Sequence, residues 1–325
     1  MLADAVFEGG GVKGIAFTGA IKVMEDYGYT WRNLAGTSAG AIVSSLLAVG
    51  YKANEIKNLM EELDYKKITD KRLIPLLNLG INKGLYKGDY IREWLDEKLY
   101  EKMKNKIGEK RAIKFKDLVI KGEKENLLNN RKYKRKYKLH IIAVDVTRGK
   151  MLILPEDIAY YGIDPDEFDV SLAVRMSMSI PMYFEPVVIK NGGEKFYIVD
   201  GGVMSNFPVW LFDTQGEPEW PTIGFRLLDF KKKDKNNKIT NTFNYLTAVV
   251  ETLLKNDINQ EIVKMDNLRT IDIDYLGIKT TDFKISEEKI QELYCSGEEC
   301  AKEFLRTWED NYTTYVELRK KAMLL

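Results

Sequence analysis

Three short stretches of this chain hold residue types that do chemistry. Gly36-Thr37-Ser38-Ala39-Gly40 sets a serine midway between two glycines. That spacing suits a nucleophile on a strand-to-helix turn too sharp for flanking side chains, with the hydroxyl thrust outward. A helix starting there favours the anion that forms on attack. Gly9-Gly10-Gly11-Val12-Lys13-Gly14 offers consecutive backbone N–H groups at a helix start. Aimed at a developing oxyanion, each such donor is worth roughly 3–4 kcal/mol of transition-state stabilisation. Asp200-Gly201-Gly202 closes the apolar run Phe196-Tyr197-Ile198-Val199. It places a carboxylate at the carboxyl edge of a sheet, where α/β sites form. Taken singly, the serine pattern also fits a structural tight turn, and Asp-Gly a turn-forming Asx residue.

Rival uses of these motifs are weaker. A Gly-x-Gly-x-x-Gly loop can head a dinucleotide site, which wants an acidic residue near the end of the second strand. Here that place reads Arg32-Asn33-Leu34-Ala35-Gly36-Thr37. Nor is it a phosphate loop of the Walker type, because Lys13 precedes the last glycine and no Ser or Thr follows it. A serine nucleophile also needs a base. In an α/β-hydrolase the order is serine, acid, histidine. The one histidine, His140, precedes Asp200 and lies within Leu139-His140-Ile141-Ile142, so a packed, hydrogen-bonded strand histidine is expected. If Ser38 is a nucleophile, its base is then expected to be a carboxylate rather than an imidazole.

The elements that must hold these residues follow from hydropathy. A buried strand ending Ala5-Val6-Phe7 runs into the first glycine loop, and a helix follows from about Gly14 to near Gly28. A second strand at Asn33-Leu34-Ala35 meets the serine turn, with the apolar helix Ile42 to Val49 behind it. Strand, glycine turn and helix, repeated twice, indicate a parallel α/β sheet. Asp89 is expected to cap a helix burying Ile91, Trp94, Leu95, Leu99 and Met103. Further strands are expected at Leu139 to Val146, Met151 to Leu154, Pro186 to Ile189, Lys195 to Val199 and Thr222 to Leu227. Residues 121–138 read as a polar, basic insertion, and Lys231 to Lys238 as a second basic loop. Residues 241–325 read as mainly helical, with an apolar stripe at Ala301, Phe304, Leu305, Trp308 and Tyr312.

Composition sets the outer limits. The chain has 325 residues, enough for a full core, with 50 basic and 49 acidic side chains and a net charge of +1. A near-neutral chain is no obvious nucleic-acid binder. Two cysteines make no disulfide framework, and Cys295 and Cys300 read as free thiols in a reducing compartment. One histidine excludes a multi-histidine metal site. No apolar run exceeds four residues, far below the ~20 needed to span a bilayer. The N-terminal residues show no basic region followed by an apolar one, so no secretory signal is read and a cytoplasmic location is expected.

Together, and in this order, the three motifs resemble those of the patatin-like phospholipases, a family of Ser–Asp lipid acyl hydrolases. Gly84-Leu85-Tyr86-Lys87-Gly88-Asp89, Asp145-Val146-Thr147-Arg148-Gly149-Lys150 and the stretch from Ser177 to Val187 look like further segments of that family. The resemblance covers roughly residues 4 to 227 and is weak to absent over the last hundred. It implies an α/β fold: a three-layer α/β/α sandwich with a mostly parallel central sheet and a helical C-terminal part. One domain is expected, with the motif-bearing core at 1–228. The resemblance assigns Ser38 as nucleophile and Asp200 as general base, and Gly10 and Gly11, with Gly9, as oxyanion donors. Lys13 matches the family's basic position, holding the loop or meeting a lipid phosphate. Gly14, Gly36, Gly40, Gly201 and Gly202 match motif glycines, and no metal or cofactor is implied.

A lipid substrate implies contact with a membrane surface. Arg131 to Lys138 holds six basic residues and two tyrosines, suited to anionic headgroups, at about 1 kcal/mol per basic residue near the surface. A solvated loop is the plain alternative. Control by an activator protein is compatible with the sequence but not read in it. Two other functions stay open at this level: an acyltransferase pairing Ser38 with His140, and a catalytically silent binding protein on the same scaffold.

Overall fold

The computed structural model describes all residues except 69–74, 121–135, 215–216, 232–238, 241, 255–259, 281, 283–284 and 323–325. Its strands are β1 (Leu2–Phe7), β2 (Thr30–Thr37), β3 (Gly84–Tyr86), β4 (Leu139–Asp145) and β5 (Lys150–Leu154), then β6 (Met182–Phe184), β7 (Val187–Asn191), β8 (Glu194–Asp200), β9 (Thr222–Leu228) and β10 (Thr270–Asp274). Eight form one sheet in the order β10-β9-β1-β2-β4-β8-β7, with β5 also on β4. Helices flank the sheet in a three-layer α/β/α arrangement. From β10 to β4 every pairing is parallel. The other end is antiparallel, because the hairpins β4–β5 and β7–β8 need only short turns. The sheet is therefore mixed rather than uniformly parallel.

The two predicted strand–turn–helix units are present. β1 leads through a 3₁₀ turn, Gly11–Gly14, into α1 (Ile15–Asp26), and β2 leads into α2 (Ala39–Val49), every residue of which is buried. β4 is buried along its whole length, as a strand covered on both faces must be. Its three partners position the site. β5 occupies one edge of β4 over Ile141 to Asp145. β2, reaching Thr37 opposite Ile142, and β8, reaching Asp200 opposite Ala143, must then share the other edge. They run in opposite directions and meet end to end.

Residues beyond 228 do more than add helices. β10 extends the same sheet beside β9, and its alternation Thr-Ile-Asp-Ile-Asp is a strand pattern within a region read as mainly helical. The last helix, Glu287–Ala322, crosses α1 so closely that a Cβ on Gly297 would stand 2.0 Å from the Ala16 carbonyl oxygen. Within its predicted stripe, Ala301 and Trp308 are buried, and Trp308 donates its indole N–H to the Tyr29 hydroxyl at 2.7 Å.

Local differences from expectation have local causes. The helix Asp89–Ile107 buries the five predicted apolar residues, but its N-cap is Gly88 at φ 75°, and Asp89 is the first helical residue. A small ribbon, β3 on β6, joins two segments far apart in sequence and is tied by Arg175, whose guanidinium donates to the carbonyls of Lys87 and Glu185. Most of the predicted basic insertion, 121–135, lies outside the described residues. At its end Lys136 pairs with Asp166 at 2.7 Å, Tyr137 is buried, and the Lys138 backbone N–H bonds the Leu118 carbonyl at 2.9 Å. The second basic loop lies outside the described residues from 232 to 238.

Candidate active site

Ser38 caps α2 with φ 51° and ψ −119°, a region that costs a non-glycine residue about 1–3 kcal/mol. The surroundings hold it there. A Cβ on Gly36 would stand 2.2 Å from the Gly40 carbonyl oxygen, and one on Gly40 2.4 Å from that of Phe7. Only glycine at both places lets β2 turn into α2 while touching β1. The Ser38 N–H donates to Ser177 Oγ at 2.9 Å, and that hydroxyl donates onward to the Ile142 carbonyl at 2.6 Å. Thr37 is fastened to the Ser205 carbonyl at 3.2 Å.

Asp200 ends β8 and is buried. Its N–H donates to the Ser179 carbonyl at 2.9 Å, and its Oδ1 accepts the Gly202 N–H at 2.8 Å. Gly201 lies against the Ile142 carbonyl, where a Cβ would come within 2.4 Å. Oδ2 is buried without a completed hydrogen bond. Burial pushes the carboxyl pKa up to about 7, while the Gly202 N–H and then the Ser38 hydroxyl pull it down. Ser38 and Asp200 thus act on each other across the point where β2 and β8 meet. Hydrogen bonds of this kind often tighten only when substrate is bound.

The first glycine loop lies beside the serine. A Cβ on Gly9 would come within 3.3 Å of Ser38 Cβ and 2.2 Å of Asn206 Oδ1. The Gly9 N–H is engaged by the Asn206 carbonyl at 3.1 Å, so it is not open to an oxyanion, contrary to expectation. Among the described residues none accepts the N–H of Gly10 or Gly11. Gly10 abuts Leu227, and Gly11 adopts φ 56° against Thr280. Gly14 packs on Ala39 at the start of α2. The Lys13 ammonium lies over the Tyr275 ring, 4.0 Å from its centroid.

Several residues at this site were not singled out in the sequence. Asn206 donates its amide to Glu8 Oε1 at 3.1 Å and to the Gly9 carbonyl at 3.2 Å. Glu8 is itself buried and accepts the Leu227 N–H at 2.5 Å. An acidic residue directly after an apolar strand was the available signal. Ser177 begins the stretch to Val187 that resembles the family, a resemblance that assigns it no role.

His140 pairs in register with Ala35 and is buried, with Nε2 3.2 Å from Glu156 Oε1 and its ring edge-on to Phe212. Its imidazole is engaged there, as a packed strand histidine. Cys295 and Cys300 are free thiols on the last helix. Among the described residues, no group of three His, Cys, Asp or Glu side chains is arranged for a metal, and no helix is long and apolar enough to cross a membrane.

Known proteins resemble this chain over much of its length. The family model described as patatin-like phospholipase matches residues 5–213. The uncharacterised protein YqhO of Bacillus subtilis is 36% identical over 308 residues, covering 95% of this chain and 99% of its own. A viral protein named "Probable lipid hydrolase 463L", from Invertebrate iridescent virus 6, is 29% identical over 204 residues, 63% of this chain and 61% of its own. Among solved structures, VipD from Legionella pneumophila superposes with a TM-score of 0.59 at 18% identity, over 94% of this chain and 67% of that one. ExoU from Pseudomonas aeruginosa, in its complex with SpcU, gives 0.52 at 16% identity, with 94% of this chain matching about half (52%) of ExoU. These structural likenesses show a shared fold.

Proposed function

This chain belongs to the patatin-like phospholipase family, and from that premise we propose that it hydrolyses carboxylic esters of lipids through a Ser38–Asp200 dyad. The observation that carries the reading is the pairing itself: a strained, buried serine facing a buried carboxylate whose pKa is raised to about 7. An exposed aspartate, with pKa about 3.9, is too weak a base at neutral pH. Burial supplies the missing basicity.

The reaction proceeds in two steps. Ionised Asp200 takes the hydroxyl proton as Ser38 Oγ bonds to the ester carbonyl carbon. The N–H groups of Gly10 and Gly11 receive the negative charge on the carbonyl oxygen. The carbon–oxygen bond to the lipid alcohol then breaks, and the proton held by Asp200 passes to the departing oxygen. Water, deprotonated by the same carboxylate, attacks the acyl-serine, and the fatty acid leaves as Ser38 regains its proton. Glu8 and Asn206 act by holding the glycine loop. Lys13, stacked on Tyr275, favours a loop-holding role over headgroup contact.

The test is covalent labelling by a lipid-like fluorophosphonate, read by intact mass. One adduct is expected on the wild type, none on Ser38→Ala, and a much slower one on Asp200→Ala. A folded wild type that takes no adduct, or an adduct that persists in Ser38→Ala, refutes the dyad.

A further inference from the structure

The parallel strands β1, β2, β9 and β10 all end on one edge of the sheet, where Ser38 and the glycine loop stand. The segment from Asp200 to Asn206 crosses the same edge, its Ser205 and Asn206 carbonyls holding Thr37 and Gly9. Beside the site this edge is apolar. Met204 within that segment, Phe230 two residues past β9 and Leu276 two past β10 are all exposed. The helix Thr242–Leu254 adds a continuous face, lying against the turn Gly201–Val203 that follows Asp200. Val250 packs this helix onto the core. On its outer side Tyr245, Leu246, Val249 and Leu253 are exposed. With 3.6 residues per turn, these four fall within about a third of the circumference. The helix has one charged residue, Glu251, in thirteen. A helix with so few charges is ordinarily covered on both faces. Apolar side chains scattered singly over a surface need no explanation, whereas a contiguous patch marks an interaction surface.

We propose that this edge docks on the surface of an anionic phospholipid bilayer, the outer face of the helix Thr242–Leu254 seated among headgroups and upper acyl carbons. The proposal rests on the lipid-hydrolase reading above and adds the surface through which substrate is presented. Two observations select a bilayer over a protein. The face adjoins the turn after Asp200, so a protein seated on it would stand where the ester must enter, whereas a bilayer supplies the ester. The charge is also complementary. Lys231 and Lys279 are exposed near Phe230 and Leu276, and the sequence from 231 to 255 carries six lysines against one aspartate and one glutamate. Asp229 is turned to the chain, accepting the Lys231 backbone N–H at 3.1 Å. Lysines flanking an apolar helix face hold it at an anionic interface.

The experiment is sedimentation with sucrose-loaded vesicles, using the full chain as Ser38→Ala so that no lipid is consumed. The vesicles are phosphatidylcholine alone, or phosphatidylcholine and phosphatidylglycerol in equal parts. Partitioning onto the anionic vesicles should exceed that onto the neutral ones by ~10-fold or more. Adding Leu246→Asp and Leu253→Asp together should lower it by ~10-fold or more, and the milder Leu253→Ser alone by ~3-fold. Val188→Asp, exposed on β7 at the other end of the sheet, adds a like charge and should bind as the Ser38→Ala parent does. Melting curves confirm that each variant is folded. No preference for anionic vesicles, an equal loss in Val188→Asp, or full binding by the paired aspartate variant overturns the proposal. A concentration-dependent dimer that the paired aspartates abolish, without vesicle binding, overturns it in favour of a second copy. Binding by Ser38→Ala needs no turnover, so it can fail while fluorophosphonate labelling of Ser38 succeeds, or the reverse, and the two readings are told apart.

Discussion

Ser38 donates its backbone N–H to the hydroxyl of Ser177 at 2.9 Å, and through that hydroxyl the elbow is fastened to the Ile142 carbonyl of β4. The bond is buried, so the strained turn and the strand beneath it form one unit. Ser177→Ala leaves a buried N–H and a buried carbonyl unpaired, at about 1–3 kcal/mol. Thermal melts should show that loss. Because the elbow is aimed rather than built by this bond, kcat should fall by more than KM rises, and Ser177→Thr should recover part of it.

Asp200→Asn should separate stability from activity. The folded pKa of about 7 lies above the ordinary 3.8, so the native state holds this proton more tightly than the unfolded chain. The sign follows: below pH 3.8 the carboxyl costs nothing, stability falls as pH rises from there to 7, and the penalty is constant above. At full extent it is on the order of 4 kcal/mol. The asparagine variant escapes it, so its melting temperature should exceed that of wild type at pH 8, with the gap closing towards pH 4. Hydrolysis should drop by ~10³-fold or more. A variant less stable than wild type at pH 8 contradicts the assigned burial effect.

With Asp200 as the proposed base, the same carboxyl should set the pH dependence of turnover. The base must be ionised, so kcat/KM should fall on the acid side with an apparent pKa near 7 and level off above it. An acid limb near pH 4 would show a solvated carboxylate and count against the dyad.

Asn206→Ala tests the glycine loop. It removes two amide bonds, to Glu8 and to the Gly9 carbonyl. The expected result is a ~10- to 100-fold loss in kcat, read by ester turnover, with fluorophosphonate labelling slowed in parallel. Full activity in a folded variant would mean that the loop is held without it.

Gly297→Val tests whether residues beyond 228 belong to the same cooperative unit. A Cβ there meets the α1 backbone, at the Ala16 carbonyl and the Ala20 N–H, with nothing flexible to yield. A loss of 3 kcal/mol or more, in one transition seen by both circular dichroism and activity, is expected. Two separate transitions would indicate two units.

Much of this protein was legible one strand at a time. The buried run of β1, the apolar α2 and the end of β8 each declare themselves by local hydropathy. Gly36 is required by a contact only four residues away, with Gly40, which is why the spacing reads as a turn even in isolation, whereas Gly40 is required by the backbone of Phe7 in β1. β10 was missed because a five-residue alternating strand among helical segments has little weight of its own, and only its neighbour β9 makes it part of a sheet.

Sequence alone determined which residues could do chemistry: a serine on a glycine turn, an aspartate at a strand end, a glycine loop, and no second histidine. It could not determine how their atoms are engaged. Only the tertiary structure brought β2 and β8 to one edge of β4, because strand order depends on pairings between residues far apart in the chain. That meeting also buried Asp200, and burial, not residue type, moves its pKa into the working range. In the same way the fold engaged the Gly9 N–H with Asn206 and turned His140 towards Glu156. Hydrogen-bond partners and desolvation are properties of the packed chain, and no spacing along it encodes them.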